Sequence, residues 1–151
     1  IQYHSLYAGH IADAHLGLGQ PRTGLDLLEK AIAEAEVTGE KFFFAELFRL
    51  RAKMLVKLNA REEAETSLQT ALTIAREQEA RWWELRAAAS LAALWHAEGR
   101  SRQARSVLQP VYAWFSEGFQ TSVLREAEAQ LEMLTEAQAG VRRQVPTPAP
   151  R

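Results

Sequence analysis

RWWELRAAASLAALWHAEGRSRQARSVLQPVYAWFSEGF, residues 81–119, is the stretch that decides the fold. Trp83, Ala87, Leu91, Leu94 and Trp95 recur every three or four positions, the spacing of one helix face. Gly99 interrupts the pattern, and a second stripe follows through Ala104, Val107, Leu108, Val111 and Phe115. The stretch therefore predicts two helices joined by a tight turn. Pro110 inside the second removes a backbone donor and clashes with the carbonyl of Ser106, so a kink, or a break into two short helices, is expected there. A kink would turn Tyr112, Trp114 and Phe115 toward whatever follows.

Sliding the chain 40 positions along itself lines this hairpin up with two earlier ones. The turn residues Gly19, Asn59 and Gly99 coincide, as do the small residues Ala12, Ala52 and Ala92. Gly24, Ala64 and Ala104 align, then Leu28, Leu68 and Leu108, then Ala31, Ala71 and Val111. Tyr3, Phe43 and Trp83 stand at the entrances of the units. A fixed period of this length marks an array of stacked helix pairs. Helices are predicted over 3–18, 22–37, 42–58 and 62–78, then in the hairpin, then over 122–137. The last carries a narrow apolar stripe (Leu124, Ala127, Leu131, Leu134) with Arg125, Glu128 and Glu132 outside, the pattern of a helix that seals an array. The reading is all-α: three helix pairs over 3–40, 41–80 and 81–119, a cap over 121–138, and a Pro-rich tail or linker over 139–151.

Composition excludes several functions. The chain has 151 residues, enough for one core, and is 47% hydrophobic and 25% charged, as soluble globular domains are. A net charge of −1 and the lack of a dense Lys/Arg run argue against nucleic acid. Without cysteine there is no disulfide, thiolate metal site or cysteine nucleophile, which fits a cytoplasmic setting. No apolar run is long enough to cross a membrane. His4, His10, His15 and His96 include no i,i+4 pair, so no metal is expected. Gly17-x-Gly19 lacks a following GK[ST], so no phosphate loop or other cofactor site is expected, and no nucleophile elbow is present. The chain reads as a non-enzymatic piece of a longer protein.

The order small residue, large residue, Gly/Asn turn, Ala, Leu, Ala resembles the tetratricopeptide repeat, whose unit is 34 residues. The six extra residues here lengthen each helix by about three residues, or roughly 4.5 Å. Thr38-Gly39-Glu40, Ala45-Glu46-Leu47-Phe48-Arg49-Leu50, Leu85 to Ala92 and Leu108 to Phe119 are similar to the C-terminal repeats of large bacterial signalling proteins. In those proteins a class III cyclase or DNA-binding domain and an ATPase of the AAA/STAND kind precede the repeats. The resemblance implies a right-handed α-α superhelix serving as a protein-interaction or sensor module.

The same resemblance implies that the first helix of each pair lines a groove. Carried over by position, the groove takes Leu6, Gly9 and Asp13, then Glu46, Arg49, Lys53 and Lys57, then Arg86, Ala89, Ala93 and His96. Arg49, Lys53 and Lys57 recur every four residues as a basic strip suited to an acidic peptide or a carboxylate, unless Glu46 and its neighbours answer it. Arg51 stands where Ile11 and Leu91 stand in other units, so it needs a partner such as Glu63 or Glu84, or must snorkel outward. His15 shares a column with Leu55 and Trp95 and is expected to be buried. Of Phe42 and Phe44, and of Trp82 and Trp83, one each is expected to be partly exposed. Tyr3, Leu6, Tyr7 and Ile11 form an apolar edge through which two copies of the chain could pair as a homodimer.

Overall fold

In the computed structural model, which describes residues 4–143, four of the chain's turns share one device. Gly19, Asn59, Glu79 and Gly99 all take positive φ. The amide that follows each donates back to a carbonyl five residues earlier: Gln20 to His15, Ala60 to Leu55, Ala80 to Ala75 and Arg100 to Trp95, all at 2.8–2.9 Å. This is the left-handed closure that satisfies the last carbonyls of a helix. Glycine adopts it without strain and asparagine tolerates it, which is why the turns were legible; Glu79 is the unusual occupant.

Between these turns run α1 (His4–Gly17), α2 (Pro21–Thr38), α3 (Phe44–Lys57), α4 (Arg61–Glu77), α5 (Arg81–Ala97), α6 (Ser101–Ala113) and α7 (Ser122–Arg143). The fold is an all-α helical repeat, as the period predicts. The chain divides into two compact units, one ending at Ser90 and one beginning at Leu91. In the first, Leu28 of α2, Leu47 and Met54 of α3, and Leu68 of α4 are essentially fully buried, with Ala12, Ala52 and Ala64 between them. The small residues let backbones approach: a Cβ on Gly24 would lie 3.0 Å from the Ala12 carbonyl oxygen and from Met54 Sδ. In the second unit Leu91, Leu94, Leu108, Leu124 and Leu134 form the core.

The structure adds one regularity. The stripe Leu124, Ala127, Leu131, Leu134 of α7 lies 40 residues after Glu84, Ala87, Leu91 and Leu94 of α5. By position α7 is the first helix of a fourth unit.

Two expectations need correction. Pro110 does not break the sixth helix, which runs as one segment to Ala113; the proline sits within its final turn, where few backbone bonds remain to lose. Trp114 lies just past the end of that helix, is 58% exposed, and meets Phe115 edge-to-face at 5.2 Å. Loss of hydration, then the Glu128 and Glu132 carboxylates of α7, raise the pKa of Tyr112. Finally, α7 continues through Gly140 to Arg143, past the expected start of the tail, since one glycine costs a helix only about 1 kcal/mol. The rest of the tail, like Tyr3, lies outside the described residues.

Gly9 and Gly17 of α1 provide a paired test. A Cβ on Gly9 would meet Phe43 Cε1 at 2.7 Å and Leu50 Cδ1 at 3.2 Å, whereas one on Gly17 would meet nothing. Phe43 is buried and has the Trp83 ring against it at 5.3 Å, so it has little room to retreat. Gly9→Ala should therefore lose about 1–3 kcal/mol to overpacking, outweighing the roughly 1 kcal/mol of helix propensity gained. Gly17→Ala should keep that gain. Thermal melts should move in opposite directions; a Gly9→Ala protein as stable as wild type would contradict the packing.

Candidate functional site

The candidate groove residues of the first unit form two charge clusters, and both follow the period. Lys53 of α3 donates to Asp13 of α1 at 2.6 Å, and Arg86 of α5 donates to Glu46 of α3 at 2.7 Å. In each pair the partners are 40 residues apart. Phe43 and Trp83 repeat the relation with rings, edge to face. Equivalent positions of consecutive first helices thus touch, and opposite charges in one column become an ion pair.

Glu46 is the centre of the larger cluster. Its side chain is only 5% exposed. Arg49, one helical turn on, grips it twice, Nε to Oε2 and Nη2 to Oε1, both at 2.7 Å. Arg86 grips it from α5 at 2.7 Å to Oε1 and 3.3 Å to Oε2. Arg49 also reaches Ser90 Oγ at 3.4 Å, and Arg86 lies over the Trp83 ring at 5.9 Å. Burial opposes the carboxylate's charge, but the hydrogen bonds and charges of Arg49 and Arg86 outweigh it and hold Glu46 below the usual carboxylate range. Arg49 is therefore a structural residue more than an available one, with 11% of its side chain exposed against 37% for Lys53.

Lys57 is exposed at the end of α3. His96 belongs to the second unit. It is half-buried, its Nδ1 is 2.9 Å from Ser101 Oγ, and it lines a 570 Å³ cleft with Ala93, Ala97, Glu126, Ala129, Gln130 and Met133. The structure thus brings together Asp13 with Lys53 and Glu46 with Arg49 and Arg86, and places His96 elsewhere.

Arg51 does find a carboxylate, but it is Glu29 of α2 at 2.7 Å, not Glu63 or Glu84. Glu84 is itself buried and held by Arg76 at 2.8 Å and Arg81 at 2.7 Å, a second Arg–carboxylate–Arg cluster that the sequence did not mark. Its one signal is that Glu84 shares a column with Phe44 and Leu124. His15 is half-buried rather than enclosed, because its Nδ1 pairs with Gln20 at the surface. Phe42 is 68% exposed while Phe44 packs against Phe48, and Trp82 is more exposed than Trp83. Among the described residues no three His, Asp or Glu side chains are grouped as metal ligands.

No family model matches the chain, and no curated protein matches it. Among solved structures it is similar to that of BtubC (BKLC) from P. vanneervenii, with a TM-score of 0.68 and 15% identity over 97% of this chain and 68% of that one. At that identity the likeness concerns the fold, an array of helices.

The cluster makes Glu46 a stability element with a defined pH signature. Glu46→Gln removes the shared counter-charge of two partly buried guanidiniums and should cost about 3 kcal/mol in urea unfolding near neutral pH. Because the folded pKa lies below the ordinary 4.5, its contribution is complete above that pH and is lost as pH falls through the folded value. Wild type should lose stability on acidification below about pH 4.5, and the variant should lose less. Equal acid sensitivity in the two proteins would show that Glu46 is not the group responsible.

Proposed function

We propose that the chain is a non-catalytic interaction module of the tetratricopeptide type, acting in the cytoplasm within a larger bacterial signalling protein of the ATPase or cyclase kind. It takes a protein or peptide segment of acidic character, and it uses no cofactor or nucleic acid. The reading rests on one observation. The six charged groove residues of the first unit are four cations (Arg49, Lys53, Lys57, Arg86) and two carboxylates (Asp13, Glu46), in a chain of net charge −1. Positive charge is therefore concentrated on the face formed by α1, α3 and α5, and the two lysines are its more exposed members. Helices locked by buried ion pairs present that face with little ordering left for a ligand to complete.

Lys53→Glu with Lys57→Glu should weaken binding of a fluorescent glutamate-rich peptide at least tenfold, and added salt should weaken it in wild type. An affinity indifferent to both changes would remove the groove reading.

A second reading, self-association of the parent protein through the first helix, is favoured by a separate observation. Tyr7 and Ile11 of α1 are 65% and 52% exposed.

A further inference from the structure

On the groove face of α1, Asp13 is followed one turn on by Gly17; on α3, Lys53 is followed by Lys57. By the 40-residue period, Gly17 stands to Lys57 as Asp13 stands to Lys53. At the first of these two positions a carboxylate meets its cation. Asp13 Oδ1 lies 2.6 Å from Lys53 Nζ, and the two side chains stay partly in water, 48% and 37% exposed. At the second position there is a cation and no carboxylate. Lys57 is exposed and has no ion-pair partner among the described residues. Gly17 offers it no side chain, and a Cβ built there would meet no atom within 4 Å.

Neither packing nor backbone accounts for the glycine. Gly9, on the same helix, is small because a Cβ would collide with Phe43; Gly17 has open space beside it. The turn takes its positive φ at Gly19, not at Gly17, and a helical glycine is unfavourable relative to alanine. The Asp13–Lys53 pair shows what the strip accepts: a carboxylate reaching an α3 ammonium from the α1 side, at hydrogen-bond distance. One turn along, the chain supplies the cation and leaves the carboxylate to come from outside.

We propose that a carboxylate of the bound segment sits over Gly17 against Lys57, and that Asp13 is an internal competitor for a second carboxylate at Lys53. The ligand class is a segment with two acidic side chains on one face, about 6 Å apart, the separation of neighbours one helical turn apart. An extended segment meets that spacing with acidic residues at alternate positions, about 6.6 Å apart. The first carboxylate gains a cation it shares with no other group. The second must displace Asp13, exchanging one partly hydrated ion pair for another, so it adds little. Lys57 thus carries the affinity, and Asp13 limits what Lys53 contributes. This inference rests on the acidic-segment reading and supplies the position of its charges.

The test is fluorescence anisotropy with the whole chain and the fluorescent glutamate-rich peptide, each variant's helicity being checked by circular dichroism. Gly17→Asp supplies the missing carboxylate from within and should weaken binding roughly tenfold. Gln69→Glu makes the same change in net charge at an exposed site on α4, outside the groove face, and should bind as wild type does. Asp13→Asn frees Lys53 and should tighten binding about threefold, the scale of one exposed ion pair. A Gly17→Asp protein that binds as well as Gln69→Glu overturns the position over Gly17. An Asp13→Asn protein that binds no tighter than wild type overturns the competition at Lys53. Either result leaves the acidic-segment reading standing. A peptide that binds neither wild type nor Asp13→Asn overturns that reading and this inference together.

Discussion

A carboxylate taken out of water and held by two arginines is the constraint on which the first unit depends. Glu46 is almost wholly enclosed, and an isolated ion in that position would be prohibitively unfavourable. It is tolerated because Arg49 arrives from the same helix and Arg86 from the next first helix, each with a fork that matches both carboxylate oxygens. The geometry ties α3 to α5 in one register: sliding either helix by a turn would part Arg86 from Glu46 and leave that guanidinium without its carboxylate. Apolar packing through Leu47, Met54 and Leu68 tolerates small shifts better, so it supplies more of the attraction and less of the registration.

The same arrangement limits which charges can meet a ligand. The i,i+4 spacing of Arg49, Lys53 and Lys57 suggests three equivalent cations on one strip. Their environments differ. Arg49 is committed to Glu46, Lys53 is shared with Asp13 but remains largely hydrated, and Lys57 is exposed. An incoming carboxylate can exchange with Asp13 at Lys53 at modest cost, because both groups stay partly in water; displacing Glu46 from Arg49 would strand a buried ion.

Fold and site were legible to different degrees. Turns declared themselves because left-handed backbone selects glycine and asparagine, and Gly19, Asn59 and Gly99 stand at equal intervals. Glu79 does the same work without that residue signature, so its turn was placed only by the end of the helical pattern. The helix pairs were legible through Ala12, Ala52 and Ala92, since close approach of helices demands small side chains. The charge clusters were not, because spacing along one helix says nothing about the neighbour. The signal existed in the period itself: Asp13 with Lys53, and Glu46 with Arg86, are opposite charges 40 residues apart. The Arg51–Glu29 pair follows no such rule, since it joins a first helix to the preceding second helix. His15 was misjudged because a column shared with Leu55 and Trp95 predicts burial and does not account for a local polar partner.

Contact between equivalent positions of successive repeats also bears on how such an array can change its length. Units that were interchangeable could be lost or duplicated by recombination without harm. These are not, because their columns hold complementary residues rather than identical ones. Excising residues 41–80 would bring Leu6 into the place of Glu46 beside Arg86, and Ala93 into the place of Lys53 beside Asp13. A guanidinium and a carboxylate would each lose the partner that neutralises it. The order of the units is thus written into the chain as a lock-and-key succession, and the repeat number is protected by electrostatics.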